Sequence, residues 1–229
     1  MRRSLPFFLT VVACAAWLSW AMAVNVQAIS VDKRILNVPI ISQKPELYNG
    51  CEVTSLAMLL HYAGFKVSKM DLANQVKKDA DPIKENRSGD IVHWGNPDHG
   101  FVGDITGEAK GYAVHDKPME HLMRHYLRNR TLNLTGSAFS VLLNQIVNRK
   151  PVLVWTTVHF GPPRTWELWN HGTEQIKATM EIHTVLLVGY DPHYVYVNDP
   201  LSGIQAQKIN RQIFLQSWIA LGRKALSYL

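Results

Sequence analysis

The stretch Asn49-Gly50-Cys51-Glu52-Val53-Thr54-Ser55-Leu56-Ala57-Met58 marks the start of a helix. The apolar side chains that follow the cysteine have the i, i+3, i+4, i+7 spacing of one helical face, at Val53, Leu56, Ala57 and Leu60. Gly64 then provides a typical stop signal. The pattern predicts a helix over residues 51–62, with Cys51 at its N-terminus and a loop before it.

Cys51 is expected to be the only cysteine of the mature protein. The other cysteine, Cys14, lies in the apolar run 5–22, which follows two arginines and precedes the small-residue patterns 21–23 and 26–28. A basic start, an apolar middle and small residues at the end are typical of a secretory signal peptide. We therefore predict a signal peptide over residues 1–28 and a secreted or extracytoplasmic protein. Cys51 would then be an unpaired thiol in an oxidising compartment.

Two other interpretations of the N-terminal segment stay open. If it is not cleaved, its apolar run is about long enough to anchor the protein in a membrane. Residues 11–14 also loosely resemble a lipoprotein cleavage site, with Cys14 as the lipidated residue. The apolar run 15–24 disfavours that interpretation, because a polar tether is expected after a lipidated cysteine.

The remaining residues, 29–229, are predicted to form one domain. They are numerous enough for a substantial core, and the composition of the whole chain, 47% apolar and 18% charged, is typical of a folded globular protein. Residues 1–28 contain two arginines and no acidic residue, so the formal net charge falls from +6 to +4 without them. No run of Lys and Arg indicates a nucleic-acid-binding face. The mild basicity suits a protein near anionic cell-envelope polymers.

The order of predicted elements indicates an α+β fold, with a helical first half and a mostly antiparallel second half. Ser68 to Asp71 forms a capping box that opens a second helix. Further helices are predicted over 118–128, 137–148 and 210–221. Strands are predicted over 38–41, 152–158, 176–180, 183–190, 194–197 and 203–209.

Residues 79–117 are acidic and rich in glycine, with little periodicity. A loop this long in a compact domain is more often functional than not. The segment is predicted to form either one wall of a cleft, through His93, Trp94, His99 and Phe101, or a surface insertion. Trp155, Trp166 and Trp169 are expected in the core or along the cleft.

A cysteine attacks a carbonyl as its thiolate, and a helix N-terminus with a nearby histidine favours that form. In papain-like enzymes the histidine lies roughly 130–150 residues after the cysteine, and that window contains His183 and His193. His193 belongs to a predicted turn at 191–193, whereas His183 opens an apolar strand. A strand holds a side chain more rigidly than a turn. We therefore predict His183 as the partner of Cys51.

A third group should orient the imidazole. Alternation along residues 194–199 places Asp199 on the same face as two valines, where a carboxylate would need a partner. Asp199 is therefore the predicted partner of His183, with Asn198 as the reserve. Gln43, eight residues before Cys51, can donate a side-chain N–H toward a developing oxyanion.

These residues resemble those of papain-fold cysteine peptidases, most closely the double-glycine, bacteriocin-processing family (cysteine peptidase family 39) and its stand-alone bacterial relatives. The matching pieces are 38–43, 49–58, 94–97, 100–104, 183–191 and 197–200, which together span nearly all of the mature chain. The resemblance implies a papain-like fold with Cys51 as nucleophile, His183 as base and then acid, Asp199 as orienting group and Gln43 as oxyanion donor. Glu52 departs from the transporter-fused members, in which Gly follows the cysteine.

The predicted function is that of an exported cysteine peptidase or amide hydrolase acting on a peptide or protein substrate. An acyltransferase with the same triad and a non-catalytic envelope-binding module of the same fold are the alternatives. No cofactor is expected. No metal site is expected either, since His121 and His125 lack the glutamate of a zinc-protease motif and are predicted to lie on the surface. Contact with a membrane is expected only through an uncleaved N-terminal segment.

Overall fold

The computed structural model describes residues 32–229, so the predicted signal peptide and Cys14 lie outside the described residues. An antiparallel sheet of seven strands forms the centre of this part of the chain. Its strands are β1 (Arg34–Ile35), β6 (Thr131–Asn133), β7 (Val152–Thr157), β10 (Ile182–Tyr190), β11 (Tyr194–Asp199), β12 (Ile204–Asn210) and β13 (Ala225–Tyr228). They run in the order β12-β11-β10-β7-β13-β6, and β1 also pairs with β10.

Five α-helices accompany the sheet in the described residues. They are α1 (Cys51–Tyr62), α2 (Lys69–Gln75), α3 (Asp116–Leu127), α4 (Phe139–Val147) and α5 (Arg211–Ala220). The first of them has the predicted bounds, but it is buried on all sides rather than along one face, because Cys51 to Leu60 are all buried. It contacts β10 and β7 as well as α2 and α3. Helix α1 is therefore the central helix of the main core.

The predicted capping box at the start of α2 is confirmed. The Ser68 hydroxyl accepts a hydrogen bond from the backbone N–H of Asp71, and the Asp71 carboxylate accepts one from the backbone N–H of Ser68, both at 3.0 Å. The two bonds satisfy helix N–H groups that have no partner within the helix. The first residue of this helix, Lys69, extends its ammonium to the carbonyl oxygens of Ser42 and Gln43, at 2.7 and 3.0 Å.

The 79–117 segment builds a second, smaller apolar core together with a hairpin from the second half of the chain. Two small sheets support it: β2 (Lys78–Asp79) with β5 (Phe101–Val102), and β3 (Lys84–Glu85), β4 (Ile91–His93), β8 (Glu167–His171) and β9 (Glu174–Ala178). Trp94, Tyr112 and Trp169 pack together at its centre. Trp155 lies in the main core, whereas Trp166 is exposed.

Several sequence predictions need correction. No strand forms over 38–41, where Val38 is buried and its carbonyl instead accepts side-chain N–H bonds from Asn198 and Gln205. Strands β1 to β6, β8 and β13 were not predicted, and all of them except β8 are four residues or shorter. The predicted strand 176–180 begins at Glu174 and ends at Ala178. None of the helices in residues 32–229 is long and apolar enough to span a bilayer.

The α+β class is confirmed, and the packing of α1 makes a test of its core possible. Leu56 on α1 is fully buried, so Leu56→Ala should lower the free energy of unfolding by about 2–5 kcal/mol through lost contacts and a cavity. Leu168→Ala is the matched control, since Leu168 is exposed and the same change there should cost less than about 1 kcal/mol. Urea unfolding followed by circular dichroism measures both. Equal losses in the two variants would contradict the central position of α1.

Candidate active site

The N-terminus of α1 places Cys51 at the edge of the main core. Gly50 immediately precedes it, and a Cβ at that position would lie 2.6 Å from the Leu47 Cβ, so no larger residue fits without a shift of the loop. Two backbone N–H groups hold this loop, with Tyr48 bonded to the Thr106 carbonyl and Asn49 to the Ile105 carbonyl. Cys51 is 8% exposed, so its side chain is almost fully buried.

Two neighbours of the Cys51 sulfur, Glu52 and Thr184, shift the pKa of its thiol in opposite directions. Burial raises the pKa of the thiol well above its ordinary value, and the negative charge of Glu52 raises it further, while the backbone and hydroxyl of Thr184 lower it. The thiol donates a hydrogen bond to Glu52 Oε2 at 3.4 Å. Because burial and Glu52 dominate, the resting group is a neutral thiol.

Glu52 is a buried carboxyl group that sequence analysis did not identify as part of the site. It is 1% exposed, and its Oε1 accepts a hydrogen bond of 3.0 Å from the backbone N–H of Val114. Burial raises its pKa from 4.5 to about 7, against the opposing effects of that bond, its own backbone and the Cys51 thiol. Its charge state therefore changes near neutral pH, directly beside the sulfur.

His183 and Asp199 form a buried pair on the neighbouring strands β10 and β11. His183 Nε2 lies 2.7 Å from Asp199 Oδ1, and the histidine is 2% exposed. Burial alone would raise the pKa of Asp199, but the bond and charge of His183, with further bonds from Ser202 and Leu201, lower it to about 2. The carboxylate is therefore ionised at neutral pH, and it accepts a hydrogen bond from the N–H on His183 Nε2.

Thr184 connects the two halves of the site. It follows His183 in β10, contacts the Cys51 sulfur, and its carbonyl accepts a hydrogen bond of 3.1 Å from Ser55, one turn after the cysteine. The sulfur and the imidazole thus come from adjacent surfaces of α1 and β10. In the described residues, however, the hydrogen-bond acceptor of the thiol is Glu52, and His183 Nδ1 has no hydrogen bond to the sulfur.

The structure also places the other sequence candidates. His193 lies in an exposed turn. Asn198, the reserve candidate, uses its side chain to hold backbone: its Nδ2 donates to the Val38 carbonyl, and its Oδ1 accepts from the Ala206 N–H, where β12 bulges. The amide group of Asn198 is therefore occupied in joining strands.

Gln43 is buried close to the end of β11. Its backbone N–H donates to the carbonyl of Pro200, the residue after Asp199, at 2.9 Å. Its side-chain Nε2 donates to the Tyr48 carbonyl at 2.7 Å, and its Oε1 is buried without a hydrogen-bond partner among the described residues. One of the two N–H groups on Nε2 is thus engaged by the loop before Cys51, and the other stays available.

A cysteine at the start of a central helix, packed against a sheet that carries a paired histidine and aspartate, is the arrangement of papain-like cysteine peptidases. Within that class, the chain belongs to the Peptidase_C39 like family, whose model matches residues 35–226. The resemblance that the sequence motifs indicated is therefore confirmed, and membership supports a cysteine-peptidase type of function.

Two similar proteins come from bacilli. The chain is 38% identical over 182 residues to the uncharacterized protein YvpB of Bacillus subtilis (strain 168), a match that covers 80% of this chain and 70% of YvpB. It also resembles the crystal structure of a candidate C39-like peptidase from Bacillus anthracis, with 40% identity and a TM-score of 0.78. That match covers 86% of this chain and 97% of the other.

The raised pKa of Glu52 predicts how stability depends on pH. The folded protein keeps a proton on this group up to about pH 7, while the unfolded chain releases it near 4.5, so the free energy of unfolding should fall as pH rises between these values. The loss is at most about 3 kcal/mol, from about 1.4 kcal/mol per pKa unit. Glu52→Gln should remove this loss, as measured by urea unfolding at pH 5 and pH 8.

Glu108→Gln serves as the control, because Glu108 is exposed and should leave the pH dependence unchanged. If the free energy of unfolding of Glu52→Gln depends on pH as strongly as that of the wild type, Glu52 is not the group that retains a proton in the folded protein.

The same substitution should make the thiol more reactive. Removing the carboxylate removes a charge that raises the pKa of Cys51, so a larger fraction of the sulfur becomes thiolate at neutral pH. A fall of one pKa unit would give roughly tenfold more thiolate. The rate of alkylation by iodoacetamide between pH 6 and pH 9, read by mass spectrometry on the Cys51 peptide, measures the effect. A slower reaction in Glu52→Gln would instead mean that the carboxyl group helps to activate the sulfur.

Proposed function

We propose that this protein is an exported cysteine peptidase or amide hydrolase in which Cys51, His183 and Asp199 form the catalytic triad. The observation that carries the proposal is the buried bond of 2.7 Å between His183 and Asp199, one residue from the Thr184 group that contacts the Cys51 sulfur. A fixed imidazole beside a thiol at a helix N-terminus is the arrangement that nucleophilic catalysis by cysteine requires.

His183 acts as the general base in this proposal. Because its Nε2 N–H donates to Asp199, its Nδ1 carries a lone pair that can accept the proton of Cys51. The ionised Asp199 then stabilises the imidazolium that forms. Burial makes this stabilisation stronger than it would be in water.

The reaction proceeds in two steps. The Cys51 sulfur attacks the substrate carbonyl carbon while its proton moves to His183, and the imidazolium then protonates the leaving amine as the C–N bond breaks, which leaves a thioester. In the second step His183 takes a proton from water, the hydroxide attacks the thioester, and the proton returns to the sulfur. Acid product and free thiol are released.

The neutral state of the resting thiol determines when the proton of Cys51 is transferred. Burial and the Glu52 charge oppose a resting thiolate, so the proton leaves Cys51 during the attack rather than before it. The thiol also has to exchange its bond to Glu52 for one to His183. Because the pKa of Glu52 is about 7, the repulsion between carboxylate and developing thiolate is weaker below neutral pH.

The oxyanion of the tetrahedral intermediate has two proposed donors. The backbone N–H of Cys51 lies in the first turn of α1, where N–H groups have no partner inside the helix. The second donor is the free N–H on Gln43 Nε2, whose other N–H holds the Tyr48 carbonyl. This bond fixes the orientation of the Gln43 amide group before the substrate binds, so little conformational entropy is lost when the amide donates to the oxyanion.

Export and the substrate belong to the same proposal. A basic start, an apolar run and small residues by position 28 support secretion to the cell envelope or beyond, where Cys51 would be the remaining thiol. The proposed substrate is a peptide or protein, met in an environment of anionic envelope polymers that suits a net charge of +4 without residues 1–28.

Loss of activity in triad variants tests the proposal. Cys51→Ala should abolish hydrolysis of a peptide library, and His183→Ala should lower its rate about 10³-fold or more, because the thiol loses its base. His193→Ala is the matched control from the same sequence window and should keep full activity, since this side chain lies in an exposed turn. Cleavage is followed by mass spectrometry.

Three results would contradict the proposal or assign another function to the site. Unchanged hydrolysis in Cys51→Ala would show that the thiol is not the nucleophile. Formation of an amide with an added amine, in place of free acid, would assign acyl transfer to the same triad. A wild-type protein that binds peptides but forms no covalent intermediate at the Cys51 peptide would be a binding module.

A further inference from the structure

Three histidines and two aspartates converge beside the second apolar core. Asp79 ends β2, His93 ends β4, and His171 ends β8, while Asp81 and His99 lie in the loops that follow β2 and β4. We call these five residues the His–Asp cluster. Strands β4 and β8 are neighbours in one sheet, paired at His93 and Asn170. Sequence analysis predicted no metal ligands here, because the five residues are spread from 79 to 171 without a compact motif.

The contacts between the histidine rings and the carboxylates of the His–Asp cluster are not hydrogen bonds. His171 Nε2 lies 3.2 Å from Asp79 Oδ2 and 3.3 Å from Asp81 Oδ2. His93 Nε2 lies 3.5 Å from Asp81 Oδ2, and His99 Nδ1 lies 4.0 Å from Asp79 Oδ2. These four pairs lack hydrogen-bond geometry, which requires both a short distance and an N–H that points at the oxygen.

Other pairs of histidine and carboxylate in the described residues differ in this respect. His183 with Asp199, His115 with Asp98 and His159 with Glu181 are separated by 2.7, 2.9 and 3.0 Å, and each is a hydrogen bond. The cluster therefore departs from the way in which this protein otherwise pairs imidazoles with carboxylates. His171 also faces two carboxylate oxygens with a single ring nitrogen, which can carry only one proton.

The separations of His171 from its two carboxylates match those of ligands around a shared metal ion, whereas the 4.0 Å between His99 and Asp79 is longer. Zinc bonds to histidine nitrogen and carboxylate oxygen are about 2.0–2.2 Å long, so the edges of a tetrahedral site are about 3.3–3.6 Å. Asp79, His99 and His171 each offer one ligand atom within 4.8 Å of the others. Imidazole nitrogen favours zinc and related transition ions over Mg²⁺ and Ca²⁺, which prefer oxygen.

We propose that Asp79, His99 and His171 bind a zinc ion, with a water molecule as the fourth ligand. Zinc, with its double positive charge, would neutralise the two aspartates that the fold brings together. Two backbone N–H groups orient the Asp79 carboxylate, from Asn96 at 3.2 Å to Oδ2 and from Asp81 at 3.1 Å to Oδ1. Such supporting bonds fix a metal ligand in place.

The proposed ion would join parts of the chain that are remote in sequence. It links the 79–117 segment to the β8–β9 hairpin, which the Asn96 amide already contacts through Glu174 Oε2 at 2.8 Å. Both support the second apolar core. Its role is therefore to stabilise this segment, and the site contains none of the residues of the proposed triad.

Zinc titration of the purified, metal-free full chain tests the proposal. Isothermal titration calorimetry should show one Zn²⁺ per chain and a raised melting temperature on binding. His171→Ala and Asp79→Asn should each weaken binding at least tenfold. Substitution with Co²⁺ should give the visible absorption bands of a tetrahedral site in the wild type and not in these variants.

Two controls show whether zinc binds at the His–Asp cluster rather than elsewhere on the chain. His193→Ala, an exposed histidine in a distant turn, and Cys51→Ala, which removes the thiol, should both bind zinc like the wild type. If His171→Ala fails to fold, His99→Ala decides, because half of that side chain is exposed and its removal disturbs no core. Absence of zinc binding in the wild type, or unchanged binding in His99→Ala and Asp79→Asn, would overturn the proposal and leave an ion-pair network.

Discussion

The packing of α1 against β10 is the constraint on which the rest of the structure depends. The Ser55 hydroxyl donates to the Thr184 carbonyl, and nearly every residue of the helix is buried. This contact fixes the position of α1 relative to β10, and thereby places the Cys51 sulfur at Thr184, the residue that follows His183. A shift of one helical turn, about 5.4 Å, would separate the two halves completely.

The site combines two carboxyl groups, Asp199 and Glu52, whose pKa values are shifted in opposite directions. Asp199 is stabilised as an anion by His183 and its neighbours, so its pKa lies at about 2, whereas burial of Glu52 dominates over its hydrogen bonds and its pKa is about 7. Burial affects both, and the difference comes from the partner that each one has. One group therefore holds a fixed charge that orients the imidazole. The other carries a charge that varies with pH beside the thiol.

Much of the main core and the candidate residues could be predicted from sequence, because their signals are local. The apolar spacing after Cys51 predicted the helix, Ser68 and Asp71 predicted a cap, and an apolar run predicted the strand that begins near His183. The Cys51–Glu52 contact could not be predicted, since a glutamate in the first turn of a helix is ordinarily a solvated group that favours the helix dipole. Only the burial of α1 on all sides reverses that expectation.

The short strands and the His–Asp cluster could not be predicted from the sequence either, because they depend on contacts between segments that are not neighbours in the chain. Strands of two or three residues carry no measurable alternation, and the pairings of β2 with β5 and of β4 with β8 join segments that are remote in sequence. Val38 illustrates the converse error: its run has the composition of a strand, but side-chain amides from Asn198 and Gln205 take the place of a neighbouring strand. Periodicity reports local preference, and these features depend on which distant segments meet.

The distribution of the site along the chain also sets the order in which it assembles. His183 and Asp199 are 16 residues apart on a hairpin, whereas 129 residues separate Ser55 from Thr184. Closing the longer loop costs more chain entropy. During synthesis Cys51 emerges long before His183 and Asp199, so a half-made chain contains only part of the candidate site. The candidate site can therefore be complete only when the polypeptide is almost finished.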